Sequence, residues 1–331
     1  MISQNSQFKI SVIIPIYNAA NYIERCCESL FQQSLDSVEY IFVDDYSNDE
    51  SIKYLRSIIE KYPSKENDIK VIRHEKNKGA ATARNTGLKA ASGKYIAWVD
   101  ADDYIDVDML MLLFEKAEKE NADLVWCDFY LVYENYKIES QQFFKENSKD
   151  FMRGLVRGDI QGMLWNKLIK RNIFTENKIK FLDGYNMAED RNVLFKALYN
   201  CQKIAYLNIP LYYYTQFNTE AITRDPRVER IYEEIYNTKD ILRYVDEKKI
   251  NWINAKDIEI FKFRVKQKML YSVSIQDFIN WKKEFSEVNR LVYSYKMSSR
   301  HKLLGISAKN NLWWIIKIWI FFKKKNNNHS S

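Results

Sequence analysis

The chain has little of what marks several common function classes. Its four cysteines, Cys26, Cys27, Cys127 and Cys201, make no C-x-x-C pair, and its three histidines, His74, His301 and His329, are scattered. Neither a zinc site nor a disulfide framework is indicated, and a reducing, cytoplasmic compartment is the simplest fit. Only eight glycines occur among 331 residues. No G-x-G-x-x-G follows the first apolar run and no G-x-x-x-x-G-K-[ST] is present, which argues against a dinucleotide dehydrogenase and a P-loop NTPase. Phosphates would then meet a metal and side chains rather than a glycine cradle. The N-terminus lacks a basic segment followed by a long apolar run, and Ile10 to Ile16 is short and broken by Pro15, so no signal peptide is read.

Hydrophobic residues make up 46% of the chain and aromatic residues 15%, enough for a real core. The net charge of +7 is unevenly placed. Residues 241–331 carry 19 Lys and Arg against 7 Asp and Glu, whereas residues 1–240 carry 32 against 37. A basic C-terminal region favours an anionic surface as its partner.

Apolar runs and helical spacings alternate along the first half. Phe8 to Ile16 reads as a strand, 21–33 as a helix, Glu39 to Val43 as a strand and 50–61 as a helix. Ile69 to Arg73, Lys94 to Val99 and Asp123 to Tyr133 read as further strands, with a small-residue helix from Gly79 and another helix from Val107 to Asn121 between them. This alternation predicts a mostly parallel sheet with helices on both faces, and ligands of such sheets bind beyond the C-terminal strand ends.

Asp100, Asp102 and Asp103 crowd one such end, in KYIAWVDADDY. Like charges this close repel, so a hard divalent cation sharing a phosphorylated substrate would neutralise them. An acidic turn capping the next helix is the plainer alternative.

Four stretches, SVIIPIYN (11–18), YIFVDDYSNDES (40–51), GAATARNTGL (79–88) and AWVDADDYID (97–106), together resemble the successive motifs of family 2 glycosyltransferases with the GT-A fold. MLWNKLIKRNIF (163–174) and MAEDRNVLFKAL (187–198) resemble that family's acceptor-side segment and its E-D motif. The resemblance covers about residues 8–216. It implies an α/β mixed sheet in a catalytic domain of residues 1–216, with a nucleotide half of about 8–105 and an acceptor half of about 106–216, followed by a helical region of 217–331. Pro15 and Tyr17 would line the nucleotide pocket, and Asp45 would accept a hydrogen bond from uracil. Arg84 would lie near the nucleotide or else tie its helix to the sheet. Asp100, with Ala101, would face the ribose or sugar, and Asp102, with Asp103, would hold Mn²⁺ or Mg²⁺ on the diphosphate. Tyr46 departs from the family, which commonly has a small residue there.

Glycosyl transfer also needs a carboxylate to take the acceptor proton. Asp190 is the expected base, at the polar start of a helix over 188–199, with Glu189 as the alternative base or an acceptor-positioning group. One base without a second carboxylate nucleophile suits a single inverting displacement. Trp165, with Asn166 and Lys167, is the expected acceptor platform.

From Pro226 the chain reads as helical, and LWWIIKIWIFF (312–322) precedes Lys323, Lys324 and Lys325. Eleven residues fall short of the roughly 20 a spanning helix needs. The expected role of 312–325 is to lie on an anionic membrane, with a buried helix as the alternative; nucleic acid is disfavoured, and the C-terminal helices could form a homodimer contact. Together these readings describe an inverting glycosyltransferase on the cytoplasmic face of the membrane. It would move a hexosyl or N-acetylhexosaminyl group from a UDP-sugar to a glycan or lipid-linked acceptor of a cell-surface polysaccharide. A sugar nucleotidyltransferase and a non-catalytic membrane scaffold are the alternatives.

Overall fold

The computed structural model describes residues 8–142, 147–218 and 228–327. The chain divides into two compact units, Met1–Leu155 with Ile160–Arg224, and Val156–Asp159 with Asp225–Ser331. Pro226, expected to start the helical region, lies outside the described residues.

The first unit contains β1 (Ile10–Ile16), α1 (Ile23–Phe31), β2 (Val38–Asp44), α2 (Ser51–Lys61), β3 (Ile69–Arg73), α3 (Ala80–Ala90), β4 (Tyr95–Trp98), β5 (Tyr104–Ile105) and α4 (Met109–Glu120). It continues with β6 (Leu124–Val132), β7 (Lys137–Ser140), α5 (Ser148–Arg157, whose last residues belong to the second unit), β8 (Lys167–Lys170), α6 (Arg171–Glu176), α7 (Glu189–Asn200) and β9 (Ile204–Thr215). Among the described residues these strands form one sheet in the order β3-β2-β1-β4-β8-β6-β9-β5, with β7 paired to β6.

Strands β1 to β4 run parallel. Every residue of β2 and β4 is buried, as a run covered by helices on both faces requires. The expected parallel order ends there. β8 runs antiparallel to both β4 and β6, and β6 folds back on β7 through a hairpin in which Tyr133 stacks on Tyr136. The register Ile10↔Val38 and Ile10↔Tyr95 brings the C-terminal ends of β1, β2 and β4 to one edge, where the acidic motifs lie.

The second unit is helical: α8 (Val228–Glu247), α9 (Ala255–Lys266), α10 (Ile275–Lys283), α11 (Ser299–Lys309) and α12 (Trp313–Asn327). Its core includes Phe261, Phe263, Leu270, Phe278, Trp281 and Leu304. Helix α12 turns Ile316 inward and sets Trp319 against Phe278, while Trp314, Ile318, Phe321 and Phe322 stay exposed. Lys323 lies over the Trp319 ring and donates to the Tyr271 carbonyl; the side chains of Lys324 and Lys325 lie outside the described residues. No helix among the described residues is long and apolar enough to cross a membrane.

Candidate active site

Arg84, on the small-residue helix α3, is the centre of the site. Its guanidinium is buried and reaches Asp100 Oδ1 at 2.9 Å and Glu189 Oε1 at 2.8 Å, with Asp190 Oδ1 3.7 Å from Nε. Alanines around it let α3 lie close on the sheet, with Ala81 and Ala83 fully buried. Thus one arginine bridges the end of β4 to the first turn of α7. Both arrangements expected for Arg84 placed it near this edge, and the helix-to-sheet ion pair is the one its nitrogens make.

Two charge effects follow. Burial first, then the neighbouring Asp190, raise the Glu189 carboxyl well above the usual range, with Arg84 opposing. Asp190 is likewise raised, by burial and by Asp100, against the pull of Arg84. Asp190 Oδ2 accepts weakly from the Leu164 amide at 3.4 Å, whereas Oδ1 and Arg84 Nε are buried without hydrogen-bond partners among the described residues. A buried carboxylate oxygen left this way is costly unless something outside the chain uses it. The residue before this turn, Ala188, sits in the left-handed region at φ 62°, a strained conformation that fixes where α7 begins.

Asp102 follows β4 at the same edge. Its Oδ2 accepts from Asn218 Nδ2 at 2.7 Å, and its backbone carbonyl accepts from Thr215 Oγ1 and Arg25. Burial and the charge of Asp100 raise its pKa. Asp103, expected beside it at a metal, instead turns into the core: it is fully buried, with Oδ2 accepting from the Tyr212 hydroxyl and Oδ1 from the Thr215 amide, both at 2.7 Å. After the tight turn closed by Asp103 N donating to Asp100 O, the Asp103 oxygens are taken by Tyr212 and Thr215 of β9. Among the described residues no three His, Cys, Asp or Glu side chains gather into a ready metal cage. Asp100 and Asp102 fit a hard cation that takes its remaining oxygen ligands from phosphate and water.

On the nucleotide side, Tyr17 is half exposed just past β1, and Pro15 is partly buried. Asp45 is occupied within the protein. Oδ1 takes His74 Nδ1 at 2.7 Å and the Lys78 amide at 2.8 Å, and Oδ2 takes the Gly79 amide at 2.6 Å. Its oxygens hold the entry to α3 rather than standing open to a base edge. Gly79, at φ 87°, permits this close approach, since a Cβ there would meet Asn186 at 2.3 Å. Asn186 in turn caps α3 by accepting from the Ala81 amide. Ala101, expected beside the nucleotide, has its methyl group in the core.

The expected acceptor platform is not a surface. Trp165 is 6% exposed, stacked on Tyr212 at 4.2 Å and edge-on to Phe129 at 4.8 Å. Asn166 is buried and donates to the Cys127 carbonyl, and buried Lys167 donates to Asn166 Oδ1. Burial lowers the Lys167 pKa to about 7. These residues lead into β8, a central strand, which is why they are covered. Sequence reasoning missed Asn218, Arg25 and Thr215 around Asp102, and His74 behind Asp45. Each acts across a long stretch of chain, so local spacing held no signal for them.

The family model of glycosyl transferase family 2 matches residues 11–194. The chain is 33% identical over 212 residues to the putative glycosyltransferase EpsH of Bacillus subtilis, a match covering 62% of this chain and 60% of that protein. The aligned stretch is thus less than two thirds of that relative. Among solved structures, Staphylococcus aureus TarS residues 1–349 in complex with UDP-GlcNAc superposes with a TM-score of 0.68 at 22% identity, covering 94% of this chain and 90% of that one. The mannosyltransferase PcManGT of Pyrobaculum calidifontis, in complex with GDP-Man and Mn²⁺, superposes with a TM-score of 0.52 at 17% identity over 95% of this chain and 83% of that one. These likenesses show the GT-A fold.

Proposed function

The chain belongs to glycosyl transferase family 2, and on that premise we propose that it moves a hexosyl or N-acetylhexosaminyl group from a UDP-sugar to a hydroxyl of a glycan or lipid-linked acceptor, with inversion. The observation that carries this reading is the shared arginine. Arg84 ties Asp100, at the end of β4, to Asp190, whose side chain is 19% exposed. A donor at the β1, β2 and β4 ends would therefore meet an acceptor hydroxyl close to a carboxylate oxygen able to receive its proton.

In this scheme the acceptor oxygen attacks the anomeric carbon while the Asp190 carboxylate takes its proton. The bond from that carbon to the phosphate oxygen breaks, and its electron pair leaves on the nucleoside diphosphate. Asp100 and Asp102 would hold Mn²⁺ or Mg²⁺, which when bound supplies positive charge against the leaving diphosphate. Glu189, held by Arg84, keeps the guanidinium aimed between the two carboxylate groups. Its raised pKa makes the Asp190 carboxylate a stronger base than an ordinary aspartate.

The second unit would hold the enzyme to the cytoplasmic face of an anionic membrane. Supporting this, the exposed Trp314, Ile318, Phe321 and Phe322 fall at i, i+4, i+7 and i+8, one face of α12, with Lys317 beside them.

The test is release of nucleotide from a panel of UDP- and GDP-sugars with Mn²⁺, Mg²⁺ or EDTA, comparing the native protein with Asp102→Ala and Asp190→Asn. Metal-dependent release of UDP from one sugar, abolished in Asp102→Ala, is expected. Pyrophosphate release from UTP and a sugar phosphate would instead make the protein a nucleotidyltransferase. Nucleotide binding without turnover, in the presence of candidate acceptors, would favour the scaffold.

A further inference from the structure

Tyr46 occupies a backbone position made for glycine. It follows β2 with φ 67°, in the left-handed region, where a bulky side chain is disfavoured. The surrounding bonds leave the backbone no choice. Asp44 Oδ1 accepts from the Ser47 amide, Asp45 anchors Lys78 and Gly79, the Asn18 amide donates to Ser47 Oγ, and the Asn48 amide donates to Asn18 Oδ1. Its neighbours Asp45 and Ser47 are buried, yet the Tyr46 ring is 41% exposed. The Arg73 guanidinium lies 5.8 Å from its centroid, itself held by Asp44 and the Ser47 carbonyl. So the protein tolerates a strained tyrosine without burying its ring.

We propose that Tyr46 is a binding residue of the donor site, a stacking surface for the nucleobase of the nucleoside diphosphate. The inference rests on the nucleotide-sugar reading above and adds a residue particular to this chain. The loop of Tyr46 is bonded to the loop of Tyr17 through Asn18, Ser47 and Asn48, which brings a second exposed ring, 50% accessible, to the ends of the same two adjacent strands. Asp45 is already filled by donors from within the protein, so edge recognition there is limited and a flat apolar ring is the available contact. Arg73 steadies the ring from its side.

The experiment is calorimetric titration of UDP into the full chain and into Tyr46→Gly and Tyr46→Phe, with thermal melting of each ligand-free protein. Tyr46→Gly is expected to melt at or above the native temperature, because the strain is relieved, yet to bind UDP about tenfold more weakly, the low end of base–aromatic stacking. Tyr46→Phe should bind as the native protein does. Unchanged UDP affinity in Tyr46→Gly overturns the assignment, and a melting point several degrees lower makes Tyr46 a packing residue instead. A native protein that binds neither UDP nor GDP overturns the donor reading itself, an outcome visible before any variant is compared.

Discussion

Arg84 Nε and Asp190 Oδ1 stand 3.7 Å apart, buried and each without a hydrogen-bond partner among the described residues, although the same guanidinium makes full bonds to Asp100 and Glu189. Three carboxylates depend on this one cation. Removing it leaves them uncompensated in a buried place, which for a buried pair costs roughly 3–5 kcal/mol. Arg84→Met should lose stability of that order in denaturant titration. Arg84→Lys keeps the charge but lacks the fork that spans two elements, so it should fold and turn over poorly. Because the Arg84 charge holds the Asp190 pKa down against burial, the acid limb of the rate profile should shift to higher pH in Arg84→Met, where that charge is gone. An unshifted limb would mean that Arg84 does not act on the base.

Asp190 also leaves a mark on stability. Burial raises its folded pKa above the ordinary carboxylate value of about 4. Between those two values the folded chain binds more protons than the unfolded one, so stability falls as pH rises. Asp190→Asn cannot titrate and lacks this slope. The melting temperature of the variant minus that of the native protein should therefore increase as pH rises above about 4, whatever its starting offset. A flat difference would show that Asp190 titrates normally.

Much of the nucleotide side was legible because it is local. Each acidic motif follows its own strand, and parallel pairing of β1, β2 and β4 collects those strand ends without further information. The acceptor side was misread where exposure, not chemistry, decides the role. Trp165 and Lys167 have the composition of a binding surface, but β8 lies between β4 and β6, and that neighbourhood is set by residues far away in the chain. Asp103 differs for another reason: the groups that take its oxygens, the Tyr212 hydroxyl and the Thr215 amide, lie on β9, far along the chain. Asp45 lies at the expected strand end, but the groups bonded to its oxygens come from residues 74 to 79.

Trp165 gives a direct test of that correction. Stacked on Tyr212 and packed on Phe129, it should cost roughly 3–5 kcal/mol of stability when cut to alanine. Trp165→Phe retains most of the ring and should recover most of that loss. A glycan platform would behave oppositely, with unchanged unfolding and a raised KM for acceptor.

Helix α12 should bind vesicles through its outer face. Sedimentation with phosphatidylcholine vesicles is expected to be weak and to strengthen when phosphatidylglycerol is added, through exposed Lys317 and the basic residues that follow it. Replacing Trp314, Phe321 and Phe322 together by serine should abolish it without unfolding the unit, since these side chains are exposed. Equal binding by native and variant proteins would remove α12 as the membrane surface.

Asp102 and Asp103 are neighbours in sequence with opposite employment, and substituting each should separate metal binding from folding. Asp103→Ala strands the Thr215 amide in the core, at a cost of roughly 1–3 kcal/mol, and takes the acceptor from the Tyr212 hydroxyl, which still accepts from the Asp100 amide. Asp102→Ala gives up one bond to Asn218 and relieves its repulsion with Asp100, so its stability should stay near native. The metal response should divide the other way. Titration of Mn²⁺ in the presence of UDP should lose its binding signal in Asp102→Ala and keep it in whatever fraction of Asp103→Ala folds. Loss of Mn²⁺ binding in a well-folded Asp103→Ala would return that residue to the metal, because a carboxylate enclosed by Tyr212 and Thr215 has no oxygen to offer a cation unless the turn after β4 opens.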